Sequence, residues 1–395
     1  MYTKSMSVYQ EYDKRGREIY FTLSSNGKKK RLAKSKIGNR KLFLVQETTK
    51  FMAKKIEKPD NPSFLHGPIS LYYMKHANFP YKIYLLGDRH HKLPDPCPYS
   101  INVDDWIHTI VQEGVELDLY LEYYYPVRRG VIDDIINTYL YRHYLLDDHI
   151  TDVINKFDKS CFHFLKSNCS TKNTRIHAVD FRGMIAEKFP RMETIYVWSN
   201  PIFYDQRYSL GVDVSMMKKY VRNNLHLFSK FVDPVETSKA MHDKFVTNKI
   251  MKQIDSFPPE REYMGDLLVQ LLNYLENEYI TKAPRITGED LAELETFIKG
   301  VNNNDEEELR RILLPFSLVI DYFYIHSHFY GDLYLVARLL REYTDANPSY
   351  QSIVYMGDAH IQFIKRVLTG LGFYTEYEDI NSNQCINITG LELFE

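Results

Sequence analysis

Two tetrapeptides of the form Gly-Asp-x-His constrain the fold of this chain more than any other feature. One spans Gly87–His90 and follows the apolar run Tyr81–Leu86; the other spans Gly357–His360 and follows Ser352–Met356. Both runs are β-prone, and each ends at a glycine, the residue that a sharp turn or a close backbone approach favours. If the runs form neighbouring parallel strands, both histidines reach one crevice at the carboxyl ends of the strands, where open α/β sheets bind their ligands.

Two more apolar runs end in polar residues of the same chemical types. Leu117–Leu121 reads as a buried strand and ends at Glu122, and Arg175–Val179 is followed by Asp180 and Arg182. Imidazole, carboxylate and guanidinium groups serve metal binding and acid–base chemistry. We therefore expect these four strand ends to meet in one site.

The order of elements predicts an α/β fold with a mainly parallel sheet core and flanking helices. Strand and helix alternate from residue 81 onward, which is typical of parallel sheets. A block of helical pattern at about residues 210–345 interrupts this core and predicts a large helical insertion. We assign residues 81–395 to the core with its insertion, 46–80 to a linker broken by proline and glycine, and 1–45 to a small β module.

The predicted amino-terminal module is basic, whereas the whole chain carries a net charge of −2. A hairpin signal at Ser24–Gly27 precedes the cationic run Lys28–Arg31, and further lysines follow. Aromatic residues beside such a cluster could contact an anionic partner, a nucleic acid or an anionic virion surface. The same charges could equally protect an exposed edge strand.

Cysteine use and hydropathy predict a cytoplasmic protein. The four cysteines are scattered with no CxxC spacing, which favours free thiols in a reducing compartment. The first residues lack the apolar core of a signal peptide, so we expect no secretion. The longest apolar stretch, Ile312–Ile320, is much shorter than the ~20 residues of a membrane span, so we expect no transmembrane segment.

The predicted site supports two versions of hydrolytic chemistry. His90, Glu122 and His360 would supply two nitrogens and one oxygen to a divalent metal such as zinc, manganese or cobalt. Asp88 and Asp358 would act as further ligands or as acceptors that orient the imidazoles. In a metal-free version, one histidine is the general base for a water molecule and Arg182 holds the developing oxyanion.

Three polar residues in the last predicted helices receive other interpretations. His326 and His328 are two residues apart, and such residues do not share a helix face, so a metal pair there is not expected. His326 alone could face the crevice. Asp332 is interpreted as an ordinary helix cap.

The paired Gly-x-x-His motifs, with a glutamate-ending strand after the first, resemble the Tiki/TraB superfamily, which includes erythromycin-esterase-like and haem-binding ChaN-like proteins. The resemblance covers about residues 81–200 and 320–380. It implies an α/β core with a helical insertion, a shared histidine–carboxylate site and hydrolysis, metal-dependent proteolysis in Tiki-type members and lactone opening in esterase-type ones. By motif, the resemblance falls on Gly87, His90, Glu122, Gly357 and His360, with Asp180 and Arg182 as less direct matches.

A second resemblance concerns the possible source of the chain. The segment Asn26–Leu32, the high Tyr, Lys and Asn content and the segment Gly331–Arg338 resemble proteins of giant DNA viruses. This resemblance implies a place in the host cytoplasm or in the virion. Two functions stay open at this point: a hydrolase of peptide, ester or lactone bonds acting on a small molecule or peptide, and a catalytically silent binding or structural protein such as a virion component.

Overall fold

The structure is a computed structural model, and the chain divides into two compact units, Met1–Asp60 and Asn61–Glu395. The described residues are 8–12, 18–23, 29–32, 42–44, 63–90, 92–93, 97, 99–124, 149–157, 173–180, 213–232, 244–282, 284–300, 305–341, 350–389 and 391. Arg182 and the amino-terminal hairpin signal at residues 24–27 lie outside these ranges, so their structural expectations stay predictions.

The first unit contains a small sheet. Its strands are β1 (Val8–Tyr12), β2 (Glu18–Leu23), β3 (Lys29–Leu32) and β4 (Leu42–Leu44). The strand order is β3-β2-β1-β4, with antiparallel pairs except for the parallel pair of β1 and β4. These strands fall inside the range 1–45 that the sequence assigns to a small β module.

The second unit is built on a mixed sheet with the strand order β10-β9-β11-β7-β6-β12. A smaller sheet has the order β13-β5-β8. The strands are β5 (Phe64–His66), β6 (Ser70–His76), β7 (Lys82–Asp88), β8 (Ser100–Asn102), β9 (Leu117–Tyr124), β10 (Thr174–Asp180), β11 (Gln351–Gly357), β12 (Phe373–Ile380) and β13 (Cys385–Asn387).

The neighbours β10, β9, β11 and β7 are parallel, whereas β6 and β12 join as antiparallel strands. In β7, Ile83–Leu86 is fully buried on both faces, as expected of a central parallel strand covered on each side. The edge strand β12 alternates buried or half-buried with exposed residues. The predicted mixed α/β class with parallel pairs is therefore confirmed.

The range predicted as a linker contains strands β5 and β6, so the core sheet begins before residue 81. The Pro and Gly residues that suggested a linker lie outside the two strands. Within β6, Leu71–Met74 is buried, and its alternate side chains enter the cores on the two faces of the sheet. Strand β9 also continues past Glu122 to Tyr124, and β7 includes Gly87 and Asp88.

Helices cover both faces of the sheet and fill the predicted insertion. They are α1 (Val103–Gln112), α2 (His149–Lys156), α3 (Val214–Phe228), α4 (Lys244–Ile254), α5 (Glu262–Lys282), α6 (Gly288–Lys299), α7 (Glu306–Leu340) and α8 (Asp358–Gly370). Helices α1 and α2 pack on one face of the sheet and form the first hydrophobic core. Helices α4, α5, α8 and the end of α7 pack on the other face and form the second. A third core lies between α3, α6 and the start of α7.

Helix α7 differs from the prediction because it is continuous from Glu306 to Leu340, with Pro315 inside it. The interpretation of Asp332 as an ordinary cap would start a separate helix at residue 333. Burial explains the difference, since residues 333–337 are all almost fully buried against the sheet. The interpretation of Asp332 as a cap is wrong, because this residue lies within the last third of the helix.

Cys97 and Cys385 form a disulfide, with a Cα–Cα distance of 5.5 Å. This pairing differs from the expectation of free thiols. The two residues are 288 positions apart, so their spacing in the sequence gives no sign that they meet. Within the described part of the chain, no helix combines the length and the apolar character that crossing a membrane requires.

Candidate active site

The carboxylate of Glu122 brings together the two histidines of the repeated motif. His90 Nε2 lies 3.4 Å from Glu122 Oε2, and His360 Nε2 lies 3.7 Å from Glu122 Oε1. The strands explain this meeting: β11 lies between β9 and β7, so the parallel strands that precede or carry the three residues are adjacent. His360 itself lies in the first turn of α8, directly after β11.

Each glycine of the repeated motif makes room for a side chain at or beside this site. A Cβ atom on Gly357 would collide with His90 Nε2 and crowd Glu122 Oε2. A Cβ atom on Gly87 would collide with the side chains of Ser70 and Asp358. Gly357 and Gly87 are thus required by close approach, and Gly357 in particular allows His90 to reach Glu122.

Asp88 fixes the backbone of His90. The Asp88 carboxylate accepts a hydrogen bond from the His90 backbone N–H at 3.2 Å, and His90 Nδ1 lies 3.9 Å from the same oxygen. Its other oxygen accepts from the Tyr355 hydroxyl at 3.3 Å. His90 has a φ of 60°, a left-handed conformation that histidine adopts more readily than most residues.

Asp332 fixes the imidazole of His360. The distance from Asp332 Oδ1 to His360 Nδ1 is 2.7 Å, which directs Nε2 of the ring toward Glu122. Asp332 is 1% exposed, and its burial raises the pKa of its carboxyl group above the ordinary value. An ionised Asp332 can only accept, so His360 Nδ1 carries the proton of this hydrogen bond and Nε2 is left to accept one.

His328 is a second residue of α7 that reaches the site, with its ring centroid 4.7 Å from that of His360. Neither Asp332 nor His328 was predicted from the sequence to be part of the site. A signal was present: the two residues are four apart on a helix and so share one face. His326, which the sequence suggested could face the crevice, has a side chain outside the described part of the structure.

Glu122 also contacts the beginning of α8. Its Oε2 atom accepts a hydrogen bond from the Gly357 backbone N–H at 2.6 Å, and Gly357 is the residue that precedes the first turn of α8. The positive end of a helix dipole favours a carboxylate at this place. Glu122 is 5% exposed, so this contact acts in a largely dry environment.

Two other predicted site residues, Asp358 and Asp180, make contacts of their own. Asp358 accepts hydrogen bonds from the Ser70 hydroxyl at 2.5 Å and from Gln362 at 3.3 Å, and it shows no contact with His90, Glu122 or His360 among the described interactions. Asp180 ends β10 and is buried, and its negative charge contributes to the raised pKa of Asp332, although burial contributes most. Arg182 lies outside the described residues.

The donor set fits a divalent metal by its chemistry. The distances of 3.4 and 3.7 Å between imidazole nitrogen and carboxylate oxygen are near the ~3.3 Å that separates two ligands of a tetrahedral zinc ion. Asp332 accepts a hydrogen bond from the second ring nitrogen of His360, as carboxylates do from zinc-binding histidines. His90, Glu122 and His360 are the residues that would hold such an ion, but as the side chains lie, no group of three or more His, Cys, Asp or Glu among the described residues could hold a metal ion.

A second buried polar cluster lies on the same face of β9, closer to the start of the strand. His177 Nε2 lies 2.8 Å from Asp118 Oδ1, and Arg338 donates to His177 Nδ1 at 3.1 Å. Burial, followed by the charge of Arg338, lowers the pKa of His177 to about 4. This histidine is therefore neutral at physiological pH and is a structural part of the contact between α7 and the sheet.

Comparisons with protein-family models, with curated proteins and with solved structures find no significant match for this chain. The resemblance to the Tiki/TraB superfamily therefore stays a prediction that depends on the repeated motif and Glu122.

Proposed function

We propose that this protein is a hydrolase that cleaves an ester, lactone or peptide bond at His90, Glu122 and His360, with Asp332 positioning His360. The observation that supports this most strongly is the continuous series of contacts from Asp332 through His360 and Glu122 to His90. A base oriented by a buried carboxylate is the arrangement that general-base hydrolysis requires.

In this proposal His360 is the general base. Its Nδ1 atom is held by Asp332, and Nε2 accepts a proton from the attacking water. The imidazolium that forms is stabilised by the Asp332 carboxylate at 2.7 Å, and the burial of both groups strengthens that attraction. Asp332 does not need to take up a proton itself, because its role is to hold the ring and its charge.

His90 and Glu122 complete the proposed site. The His90 side chain is 38% exposed, whereas that of His360 is 10% exposed, so His90 is the histidine that an incoming substrate meets first. We assign His90 the transfer of a proton to the leaving group, and Glu122 the electrostatic stabilisation of both imidazoles. In the metal-dependent version His360 Nε2 would be a metal ligand and not the base, and a divalent ion held by these three residues would lower the pKa of a bound water molecule and polarise the substrate carbonyl.

The test is a panel of ester, lactone and peptide substrates, measured with and without manganese, zinc or cobalt. We expect the wild type to hydrolyse at least one class, and Glu122→Gln and His360→Ala to lower kcat/KM by about 10²–10⁴-fold, as the loss of a general base does. His226→Ala is the matched control, since this exposed histidine of α3 lies at the end of a helix in the insertion. Equal activity in all four proteins, or no hydrolysis either with or without a metal, overturns the proposal in favour of the silent binding protein.

Thermal shift separates the metal-dependent and metal-free versions. An ion that binds only the folded protein raises the melting temperature. We expect a rise with the activating metal in the wild type and in His226→Ala, and none in His360→Ala. Hydrolysis without any such rise assigns the reaction to the histidine pair alone.

A further inference from the structure

The segment that follows His90 is attached at two points, to the last residue of the turn before β13 and to the first residue of β13. The Leu93 backbone N–H donates to the side-chain oxygen of Gln384 at 2.9 Å. Cys97 is joined to Cys385, the neighbour of Gln384, by the disulfide. Both attachments lie within the seven residues that follow His90, so they restrict where that histidine can lie.

Gln384 and Cys385 are themselves held in place by burial, hydrogen bonds and strand pairing. Gln384 is fully buried, and its backbone oxygen accepts from His66 Nδ1 at 3.0 Å and from the Gly67 N–H at 3.1 Å. Cys385 pairs with His66 in the antiparallel ladder of β13 and β5. The turn is therefore fixed to the smaller sheet through backbone as well as side-chain bonds.

The conformation of His90 makes it sensitive to this restraint. Its φ of 60° is uncommon for a residue with a side chain and persists only where the surroundings hold it. On one side the surroundings are the Asp88 carboxylate, which accepts from the His90 N–H. On the other side they are the attachments at Leu93 and Cys97.

We propose that the Cys97–Cys385 disulfide is a redox latch that holds His90 at the candidate active site, and that its reduction lowers the activity of that site. This inference rests on the proposed hydrolase function. Disulfides persist in oxidising surroundings and are opened by dithiol proteins of the cytosol. The latch would thus make the site active in oxidising surroundings and weaken it in reducing ones.

The chemistry of opening is a thiol–disulfide exchange with a dithiol reductant. Cys97 is 6% exposed, whereas Cys385 is half-buried, so a thiolate of the reductant attacks Cys385 Sγ. The Sγ–Sγ bond breaks, and Cys97 leaves as a thiolate that takes up a proton. The second thiol of the reductant then displaces Cys385 as a thiolate, which is protonated in turn, and the reductant is oxidised to its own disulfide.

The experiment compares the full-length protein, oxidised and treated with dithiothreitol, by hydrogen exchange of the Leu93 amide and by hydrolysis. Mass spectrometry after maleimide labelling confirms the redox state of each sample. We expect reduction to speed exchange at Leu93 by at least tenfold and to lower kcat/KM at least fivefold, while amides of α8 from Ile364 to Leu368 keep their protection. Cys385→Ser should show the reduced behaviour without dithiothreitol.

Two variants keep the test specific. Cys161→Ser with Cys169→Ser removes the other two cysteines of the sequence, and this protein should respond to dithiothreitol as the wild type does. Gln384→Met removes the acceptor for the Leu93 N–H, so its Leu93 exchange should be fast even when oxidised.

The outcomes separate the latch from the proposed function. Slow Leu93 exchange in both redox states overturns the latch, and if hydrolysis persists there the proposed function stands. Fast Leu93 exchange on reduction, in a protein that hydrolyses nothing in either state, supports the latch as a structural device and overturns the hydrolase. Unchanged hydrolysis on reduction despite fast Leu93 exchange overturns the claim that the latch controls the site.

Discussion

Replacing Asp332 with asparagine removes one negative charge from behind His360 with little change in shape. The charge lies 2.7 Å from His360 Nδ1, and both groups are buried. For two unit charges about 4 Å apart in surroundings of effective dielectric constant about 20, the attraction is about 4 kcal/mol. Measured shifts from such neighbours are smaller, about 1–3 pKa units, or roughly 1.4–4 kcal/mol.

If His360 becomes an imidazolium in the transition state, Asp332→Asn should therefore lower kcat/KM by about 10–10³-fold. The stability of the variant should move in the other direction. Burial raises the pKa of Asp332 from its ordinary 3.8, so the folded protein binds that proton more tightly than the unfolded chain does. An ionised Asp332 consequently costs folding free energy above that pH, and the neutral asparagine removes the cost.

The assay is kcat/KM together with the melting temperature, both at pH 7. We expect the large loss of activity together with an unchanged or raised melting temperature. Asp266→Asn, at an exposed position of helix α5, is a matched control that should change neither quantity. Full activity in Asp332→Asn would refute the role of Asp332, and a loss of activity accompanied by unfolding would make that role purely structural.

Three further predictions follow from the described packing. Gly357→Ala should abolish hydrolysis, because its Cβ would displace His90, whereas Gly370→Ala, with open space around its Cβ, should leave the rate unchanged. Acidification from pH 6.5 to about 4 should lower the free energy of unfolding by about 3 kcal/mol through His177, since the folded state binds a proton on this imidazole more weakly than the unfolded chain does. In urea titrations at several pH values, His177→Gln should lack this part of the pH dependence of stability. Leu85→Ala, at a fully buried position of β7, should cost about 2–5 kcal/mol by the same titration, and a cost below 1 kcal/mol would contradict its central place in the core.

The sequence predicted the part of the site that is built from polar residues at the ends of parallel strands. A polar residue at the carboxyl end of an apolar parallel strand lies at the edge of the sheet where the other strands also end. The meeting of His90, Glu122 and His360 could therefore be predicted. The spacing of His328 and Asp332 places both on one helix face, but the sequence does not show that this face meets His360, because that depends on how α7 packs against the sheet.

Other features depended on tertiary contacts that leave no local trace. The pairing of Cys97 with Cys385 spans 288 positions. Strand β6 follows the Gly67-Pro68 pair and was assigned to the linker, although its Leu71–Met74 run is apolar and buried. Asp358 occupies the same place in its motif as Asp88, yet it contacts Ser70 because α8 begins at Asp358, whereas Asp88 is still part of strand β7.

The central claim is that His90, Glu122 and His360 act as one catalytic unit, and the non-additivity of their removal tests it most directly. The measurement is kcat/KM of His90→Asn, Glu122→Gln, His360→Ala and the triple variant on the best substrate of the wild type; asparagine is chosen at position 90 because it tolerates the positive φ. We predict that each single variant loses nearly as much activity as the triple variant, as residues of one catalytic unit do. Losses that add up, with each single variant retaining a large part of the wild-type rate, would contradict the account.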